Sequence, residues 1–375
     1  MQSPEGELIA ILKKNKMDFV LTLPCEKIRG LLYGVQKEFF HVPLTREEEG
    51  VGISAGIALA GKRPAMFVQS SGIGNMINAL LSLTGFYELP LAIFISQRGI
   101  YKEKIAAQLP MGRRLPHILK GAGIAYSTIR TKKDFRKVEE RLPDIYKNGR
   151  IHAFLLSPAV FEGVCDTDIP ELPSCPVSGR TEAHVARKVK PQLTRFEILK
   201  MIAPYLNSKV IVCNLGFPSK ELFSVKHQPS NFYMLGSMGM ATPVGLGISI
   251  ASDKEVIVID GDGSILMNPG TLATAAHFSP KNLTIFAVDN GSYGSTGDQP
   301  TLTGSCVDLS LVAQGFGIRD VQRVAGKRQL ITALKKPHKR VRFIHALAIP
   351  RNKDVPPITL HHLEIKKQVM GVLES

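Results

Sequence analysis

No apolar run in this 375-residue chain approaches the length of a membrane span, so no spanning helix is expected. The opening MQSPEGELIAIL lacks a basic segment followed by an apolar stretch, which leaves no export signal to expect and makes the cytoplasm the expected compartment. Cysteine is scarce: Cys25, Cys165, Cys175, Cys213 and Cys306 are odd in number, scattered and without a CxxC spacing. That pattern suggests neither a disulfide framework nor a zinc site. Acidic residues are short as well, 32 against 47 Lys and Arg, for a net charge of +15. Such an excess fits a nucleic-acid partner, because Lys and Arg neutralise phosphates and release counterions. The basic residues, however, run along the whole chain, with short clusters at Arg130–Lys133, Lys335–Arg342 and Lys366–Lys367, and no aromatic-interleaved basic motif accompanies them. Solvated helix faces and attraction for anionic metabolites account for this spread. No nucleic-acid and no membrane partner is therefore expected; a basic nucleic-acid-binding protein without catalysis stays as the reading of another class.

Apolar residues make up 44% and charged residues 21%, the balance of a folded globular protein and not of a disordered one. At this length two domains of about 150–190 residues each are expected. Ser3, Pro4 and Glu5 read as an N-cap and first helical turn, and the spacing of Leu8, Ile9 and Leu12 carries the helix to Lys16. β-rich runs follow at Phe19–Leu23 and near Phe39–Val42, Ala65–Val68, Leu91–Ile95, Ile124–Ser127 and Ala153–Leu156, separated by segments of helical length. The second half resumes the alternation with strands near Val210–Cys213, Phe232–Leu235, Val256–Asp260, Leu283–Val288 and Val341–Ala346. This rhythm predicts an α/β fold with two mostly parallel sheets, each flanked by helices. Between the halves, 166–194 holds four prolines and no sustained periodicity, which predicts a linker between domains at 1–165 and 195–375.

The stretch from Val256 to Gly294 carries the most chemistry. An apolar strand runs into Gly261-Asp262-Gly263-Ser264, and a helix then leads to a second strand ending in Asp289-Asn290-Gly291. Parallel strands end at one sheet edge, where ligands bind, so Asp262 and Asn290 are expected to face one crevice. A carboxylate and an amide oxygen converging there suit a hard cation such as Mg2+, with a diphosphate completing its octahedral shell. Gly263 and Ser264 offer N–H groups and a hydroxyl to phosphate oxygens, helped by the helix dipole, and glycine lets the backbone come close. Gly-Asp-Gly by itself is also a common turn. Leu235-Gly236-Ser237-Met238-Gly239-Met240 likewise reads as a turn with an exposed thioether or as methionine filling a core.

In the first half, Arg46-Glu47-Glu48-Glu49 opens a helix packed with small residues up to Gly56. Acidic groups in a first turn are favoured by the helix dipole, and at least one or two of the three glutamates need no further role. Gln69-Ser70-Ser71-Gly72-Ile73-Gly74-Asn75 connects a strand to a helix. Its glycines open a tight turn, while Ser71 and Asn75 either direct polar groups into a crevice or cap the helix.

Together these motifs resemble the signature of thiamine diphosphate enzymes, a Gly-Asp-Gly followed one helix and one strand later by two asparagines; here the first asparagine is replaced by Asp289. The resemblance implies thiamine diphosphate bound through Mg2+, with Asp262, Asn290 and the main-chain carbonyl of Ser292 as metal ligands and Gly263 and Ser264 at the diphosphate. Gly236-Ser237-Met238-Gly239 is similar to a loop whose apolar residue wedges between the cofactor's two rings. Met238 would be that wedge, and Gly236 would offer a carbonyl to the exocyclic amino group. Such enzymes require one buried carboxylate to shift the aminopyrimidine to its imino form, and counting back from Gly56 of the A-x-G-like helix assigns it to Glu47.

The segment from Gln69 to Leu83 and the turn Leu23-Pro24-Cys25-Glu26 look like parts of phosphonopyruvate and sulfopyruvate decarboxylases, and 349–357 looks like the end of the latter's second subunit. A pyrimidine-binding first half and a diphosphate-binding second half with no third domain resemble sulfopyruvate decarboxylase in its fused form. This implies decarboxylation of a small anionic 2-oxo acid: 3-sulfopyruvate to sulfoacetaldehyde, in coenzyme M biosynthesis, with phosphonopyruvate as the alternative. It also implies a homo-oligomer, at least a dimer, with active sites between chains. A sulfonate needs cationic or hydrogen-bonding partners, and forked Arg donors suit it. Arg113, Arg114 and His117 are the candidates, together with Cys25, Glu26, Gln69, Ser71 and Asn75; the three basic residues serve equally well as solvated charges at a helix start.

Overall fold

The chain divides into two compact units, Met1–Pro173 and Ser174–Ser375, of which the computed structural model describes residues 3–162 and 190–375. The expected linker lies outside the described residues apart from 190–194, as do Cys165 and Cys175. The first helix, Pro4–Lys14, begins as its sequence dictates: the Ser3 hydroxyl accepts from Gly6 N–H (3.1 Å), Pro4 opens the first turn, and Leu8 and Leu12 are buried.

Six parallel strands form the first unit's sheet: β1 (Phe19–Thr22), β2 (Phe40–Pro43), β3 (Pro64–Gln69), β4 (Leu91–Ser96), β5 (Ala125–Ile129) and β6 (Ile151–Leu156). Their order is β2-β1-β3-β4-β6-β5. Helical crossovers cover both faces, so the central strand β4, LAIFIS, is buried at every position. Phe94 of β4 stacks between Phe67 of β3 (4.7 Å) and Phe154 of β6 (4.9 Å). The chain leaves β1 for β2 on one side and returns to β3 on the other. At that reversal the connections diverge and leave a crevice, and the segments after β1, β2, β3 and β4 share its edge.

The second unit contains β7 (Val210–Cys213), β8 (Asn231–Tyr233), β9 (Val256–Gly261), β10 (Leu283–Asp289), the short antiparallel pair β11 (Ser292–Tyr293) and β12 (Gln299–Pro300), β13 (Asp320–Val324) and β14 (Arg342–Leu347). The six long strands are parallel in the order β13-β14-β10-β9-β7-β8. Read from the β8 edge and with the β11–β12 pair set aside, this is the same permutation as in the first unit. The two halves therefore repeat one topology without a residue-level repeat, and the crevice of the second lies after β7, β9 and β10.

Two elements had no strand signal. β13 reads DVQRV and buries only Val324, because an edge strand needs no continuous apolar run. It is held by the buried Arg342 guanidinium, whose Nε and Nη2 donate to Asp320 Oδ2 at 2.8 and 2.7 Å. The β11–β12 pair is too short to show any alternation.

Candidate active site

At the carboxyl ends of β7, β9 and β10 lies a cavity of about 130 Å3 lined by Asn214, Met238, Asp262, Gly263, Asn290 and Ser292 among others. The last residues of β9 are fixed first. Asp260, fully buried, accepts from Thr242 Oγ1 (2.7 Å) and from Gly261 N–H (2.9 Å), so the strand leaves the sheet in a set direction. Asp262 follows, 3% exposed, and its Oδ2 accepts from Thr303 Oγ1 (2.8 Å) and from Thr301 Oγ1. With Oδ2 occupied, Oδ1 turns to the Asn290 amide oxygen at 3.3 Å, which lies 3.0 Å from the Ser292 carbonyl oxygen.

Three oxygens with no proton between them repel, and the opposite amide rotamer would replace that repulsion with two N–H donations. A cation reverses the preference. Octahedral Mg2+ takes oxygens at about 2.0–2.1 Å, which sets neighbouring ligands about 3.0 Å apart. The two separations from Asn290, 3.3 Å to Asp262 and 3.0 Å to Ser292, are close to that value. Burial pushes the Asp262 carboxyl up and the Asp289 carboxylate adds to the rise, against the hydroxyls of Thr301 and Thr303. A bound divalent cation would offset this by favouring the ionised form.

The Met238 loop is tied to the same turn. Ser237 and Gly239 take left-handed backbone (φ 57° and 89°), and Gly239 N–H donates to Ser264 Oγ at 3.0 Å. The Ser264 hydroxyl is thus engaged with the loop and with Asp260. Met238 stays half-buried on the cavity wall, to which Gly236 and Ser237 contribute no lining. The helix that Asp262 opens is one of six residues, Asp262–Met267, too short for much of the expected dipole. Gly263 is required by close packing, since a Cβ there would lie 2.2 Å from the Tyr293 ring.

In the first unit the three consecutive glutamates separate by environment. Glu48 is half-buried with its carboxylate 3.7 Å from Arg46, and Glu49, 1% exposed, closes the helix start by accepting from Thr45 N–H at 2.6 Å. Glu47, 5% exposed, instead reaches the turn after β3: Asn75 Nδ2 donates to its Oε2 at 3.0 Å, and Oε1 lies over Gly72, where a Cβ would come within 2.1 Å. Only a glycine at 72 admits that carboxylate.

The structure brings some substrate candidates to this edge and not others. Gln69 and Ser71 are half-buried at the end of β3, and Asn75 is bonded to Glu47. Cys25 is buried in the core beside the Arg98 guanidinium, whereas Glu26 is exposed. Arg113, Arg114 and His117 are exposed on the helix Leu109–Gly121, which buries Gly112, Leu115 and Leu119 instead.

Several residues at these edges carried no motif. Arg98, after β4, forks onto Glu103 through Nε (2.7 Å) and Nη2 (2.8 Å), and Glu103 also accepts from Gly99 and Ile105 N–H. A basic residue and an acid flanking Gly99 directly after a strand were the available signal. Arg195 lines the second unit's cavity and forks onto Glu221, then reaches Asn352 Oδ1 (2.9 Å), whose Nδ2 donates to Gly294 O (3.0 Å). These partners lie far apart in sequence, so no local pattern reports them. The same holds for Thr301, Thr303 and His345 around Asp289 and Asp262.

Residues 6–112 match the N-terminal TPP binding domain of thiamine pyrophosphate enzymes, and residues 217–346 match their C-terminal TPP binding domain. A sulfopyruvate decarboxylase of Methanosarcina acetivorans is 41% identical over 99% of this chain and 98% of its own. Subunits beta and alpha of the Methanococcus maripaludis sulfopyruvate decarboxylase, 43% and 36% identical, cover 49% and 43% of this chain and 100% and 97% of their own. A phosphonopyruvate decarboxylase of Streptomyces hygroscopicus is 32% identical over 88% of this chain and 83% of its own. With matching domains in both halves and a full-length relative at that identity, this chain belongs to the sulfopyruvate decarboxylase family of thiamine pyrophosphate enzymes.

Proposed function

We propose that this chain decarboxylates 3-sulfopyruvate to sulfoacetaldehyde and CO2 with thiamine diphosphate and Mg2+. The observation that carries the cofactor chemistry is the approach of the Asn290 side-chain amide to Asp262 Oδ1 (3.3 Å) and to the Ser292 carbonyl oxygen (3.0 Å), separations close to those of neighbouring ligands around one octahedral cation. When bound, thiamine diphosphate supplies a carbon nucleophile for the 2-oxo group and a sink for the electrons that decarboxylation releases. Asp262, Asn290 and the Ser292 carbonyl hold the ion that anchors the diphosphate, and Met238 shapes the wall against the rings. Glu47, oriented by Asn75, exchanges a proton with the aminopyrimidine through Oε1. Gln69, Ser71 and Asn75 offer polar contacts to the substrate. The sulfonate needs cationic donors, for which Arg113 and Arg114 are the candidates.

The family's alpha and beta subunits correspond to the two halves joined here, and this supports an oligomer of at least two chains with each cofactor held between Glu47 of one and Asp262 of another. Phosphonopyruvate is the second reading, favoured by the Streptomyces relative. A coupled aldehyde assay on sulfopyruvate, phosphonopyruvate and pyruvate separates the readings. We expect kcat/KM on sulfopyruvate to exceed that on pyruvate by at least about a hundredfold, because pyruvate lacks the group that makes the charge-assisted hydrogen bonds of a sulfonate. Phosphonopyruvate should fall between them. Equal rates on pyruvate would refute an anion-specific site, and a preference for phosphonopyruvate would transfer the substrate. Unchanged kinetics in Arg113→Ala and Arg114→Ala would remove both residues from the pocket.

A further inference from the structure

Asp289, which stands where the family signature has asparagine, is 7% exposed and enclosed by donors. Its Oδ1 accepts from Gly291 N–H (3.0 Å) and Thr303 Oγ1 (2.8 Å), and its Oδ2 lies 2.8 Å from His345 Nε2. His345, on β14 and 1% exposed, is held on its far side: Nδ1 is 2.8 Å from Ser310 Oγ and 3.6 Å from Asp308 Oδ1. Asp308 in turn caps the helix Leu309–Gly315 by accepting from Ser310 N–H (2.8 Å) and lies 3.5 Å from Arg323.

The Thr303 hydroxyl stands 2.8 Å from both Asp289 Oδ1 and Asp262 Oδ2 but has one proton for the two carboxylates. An N–H from His345 to the other oxygen of Asp289 lets that carboxylate keep its place when the Thr303 proton goes to Asp262. The imidazole therefore acts on a group it does not touch. We propose that His345, braced by Ser310 and Asp308, is a positioning residue for the metal turn, fixing Asp289 and, through Thr303, the rotamer that turns Asp262 Oδ1 toward Asn290 and Ser292.

The inference rests on the metal reading of Asp262, and the test separates the two. In full-length protein, Mg2+-dependent binding of thiamine diphosphate is followed by calorimetry, and kcat is measured at saturating Mg2+. His345→Leu removes the ring nitrogens, whereas His345→Gln keeps an N–H at the reach of Nε2. Loss of a direct hydrogen-bond partner of a metal ligand typically weakens metal affinity 10–100-fold, and the lower end applies to His345, which reaches Asp262 only through Asp289 and Thr303. We expect His345→Leu to raise the half-saturating Mg2+ concentration at least about tenfold, with kcat at saturation within about threefold of the parent, and His345→Gln to recover most of the affinity. A lower melting temperature with Mg2+ half-saturation unchanged would make His345 a core residue only, and equal weakening by Leu and Gln would deny the hydrogen bond its role. Should the Leu variant not fold, Ser310→Ala carries the question: a severalfold rise in Mg2+ half-saturation is expected, and an unchanged value overturns the proposal. Asp262→Ala is the control. If it leaves Mg2+-dependent binding intact, the metal reading fails; if it abolishes binding while His345→Leu does not weaken it, only this inference fails.

Discussion

Glu47 differs from its two neighbours in what it touches. Glu49 accepts from the Thr45 N–H through Oε1, and Glu48 lies beside Arg46. Glu47 is presented to the turn after β3, with Oε2 tied to Asn75. For Glu47→Gln we expect turnover to fall by at least about a hundredfold while cofactor affinity stays within about tenfold, because an amide keeps the shape and loses the proton transfer. Near-parental rates would remove Glu47 from the chemistry, and a comparable loss only in Glu48→Gln or Glu49→Gln would move the role along the helix. Three like residues in a row are indistinguishable by type, and their register on the helix decides which of them reaches the neighbouring loop.

At the scale of elements, the segment after β4 is shaped by one ion pair. Arg98 and Glu103 are 5% and 3% exposed, and the fork between them closes the loop 98–105 against the sheet edge. Arg98 holds the Glu103 carboxyl down from 4.5 to about 2, with burial opposing. A carboxyl with a lowered folded-state value contributes stability that is full above its unfolded value and is lost as pH falls through the folded one. The melting temperature of the parent should therefore exceed that of Glu103→Gln most at neutral pH, by an amount equivalent to about 3 kcal/mol for a buried pair broken on one side. That gap should narrow between pH 4.5 and about 2. A gap independent of pH over that range would show that the ion pair is not its source. The β13 edge illustrates the opposite case, in which Asp320 and Arg342 give an otherwise polar segment its place beside β14.

For the whole molecule, the repeated strand order places Glu47 and Asp262 after corresponding sheet edges of two separate units. The proton-transfer carboxylate proposed above lies in the first unit and the proposed metal oxygens in the second, so on that reading neither unit suffices alone. An active particle of at least dimeric mass is the expected outcome in light scattering of the holoenzyme, with activity falling on dilution below the dissociation constant. A monodisperse, fully active monomer would overturn the arrangement proposed between chains.

The alternation of apolar runs with helical segments was enough to determine two parallel α/β units, because a strand buried on both faces has to be continuously apolar. Eleven strand positions were legible in this way, from Phe19–Thr22 to Arg342–Leu347. Short motifs at strand ends likewise marked Asp262, Asn290 and the Met238 loop as site candidates, since Gly-Asp-Gly, a common turn by itself, gains meaning from its spacing to Asn290. Tertiary structure alone decided the rest: that both sheets share one strand order, that Glu47 meets Gly72 and Asn75, that Arg113 and Arg114 are exposed, and that Thr303 and His345 stand around Asp289. The physical reason is separation along the chain. Periodicity and turn chemistry act over a few residues, whereas His345 reaches Asp289 and Arg195 reaches Asn352 only after the sheet has brought distant strand ends to one edge.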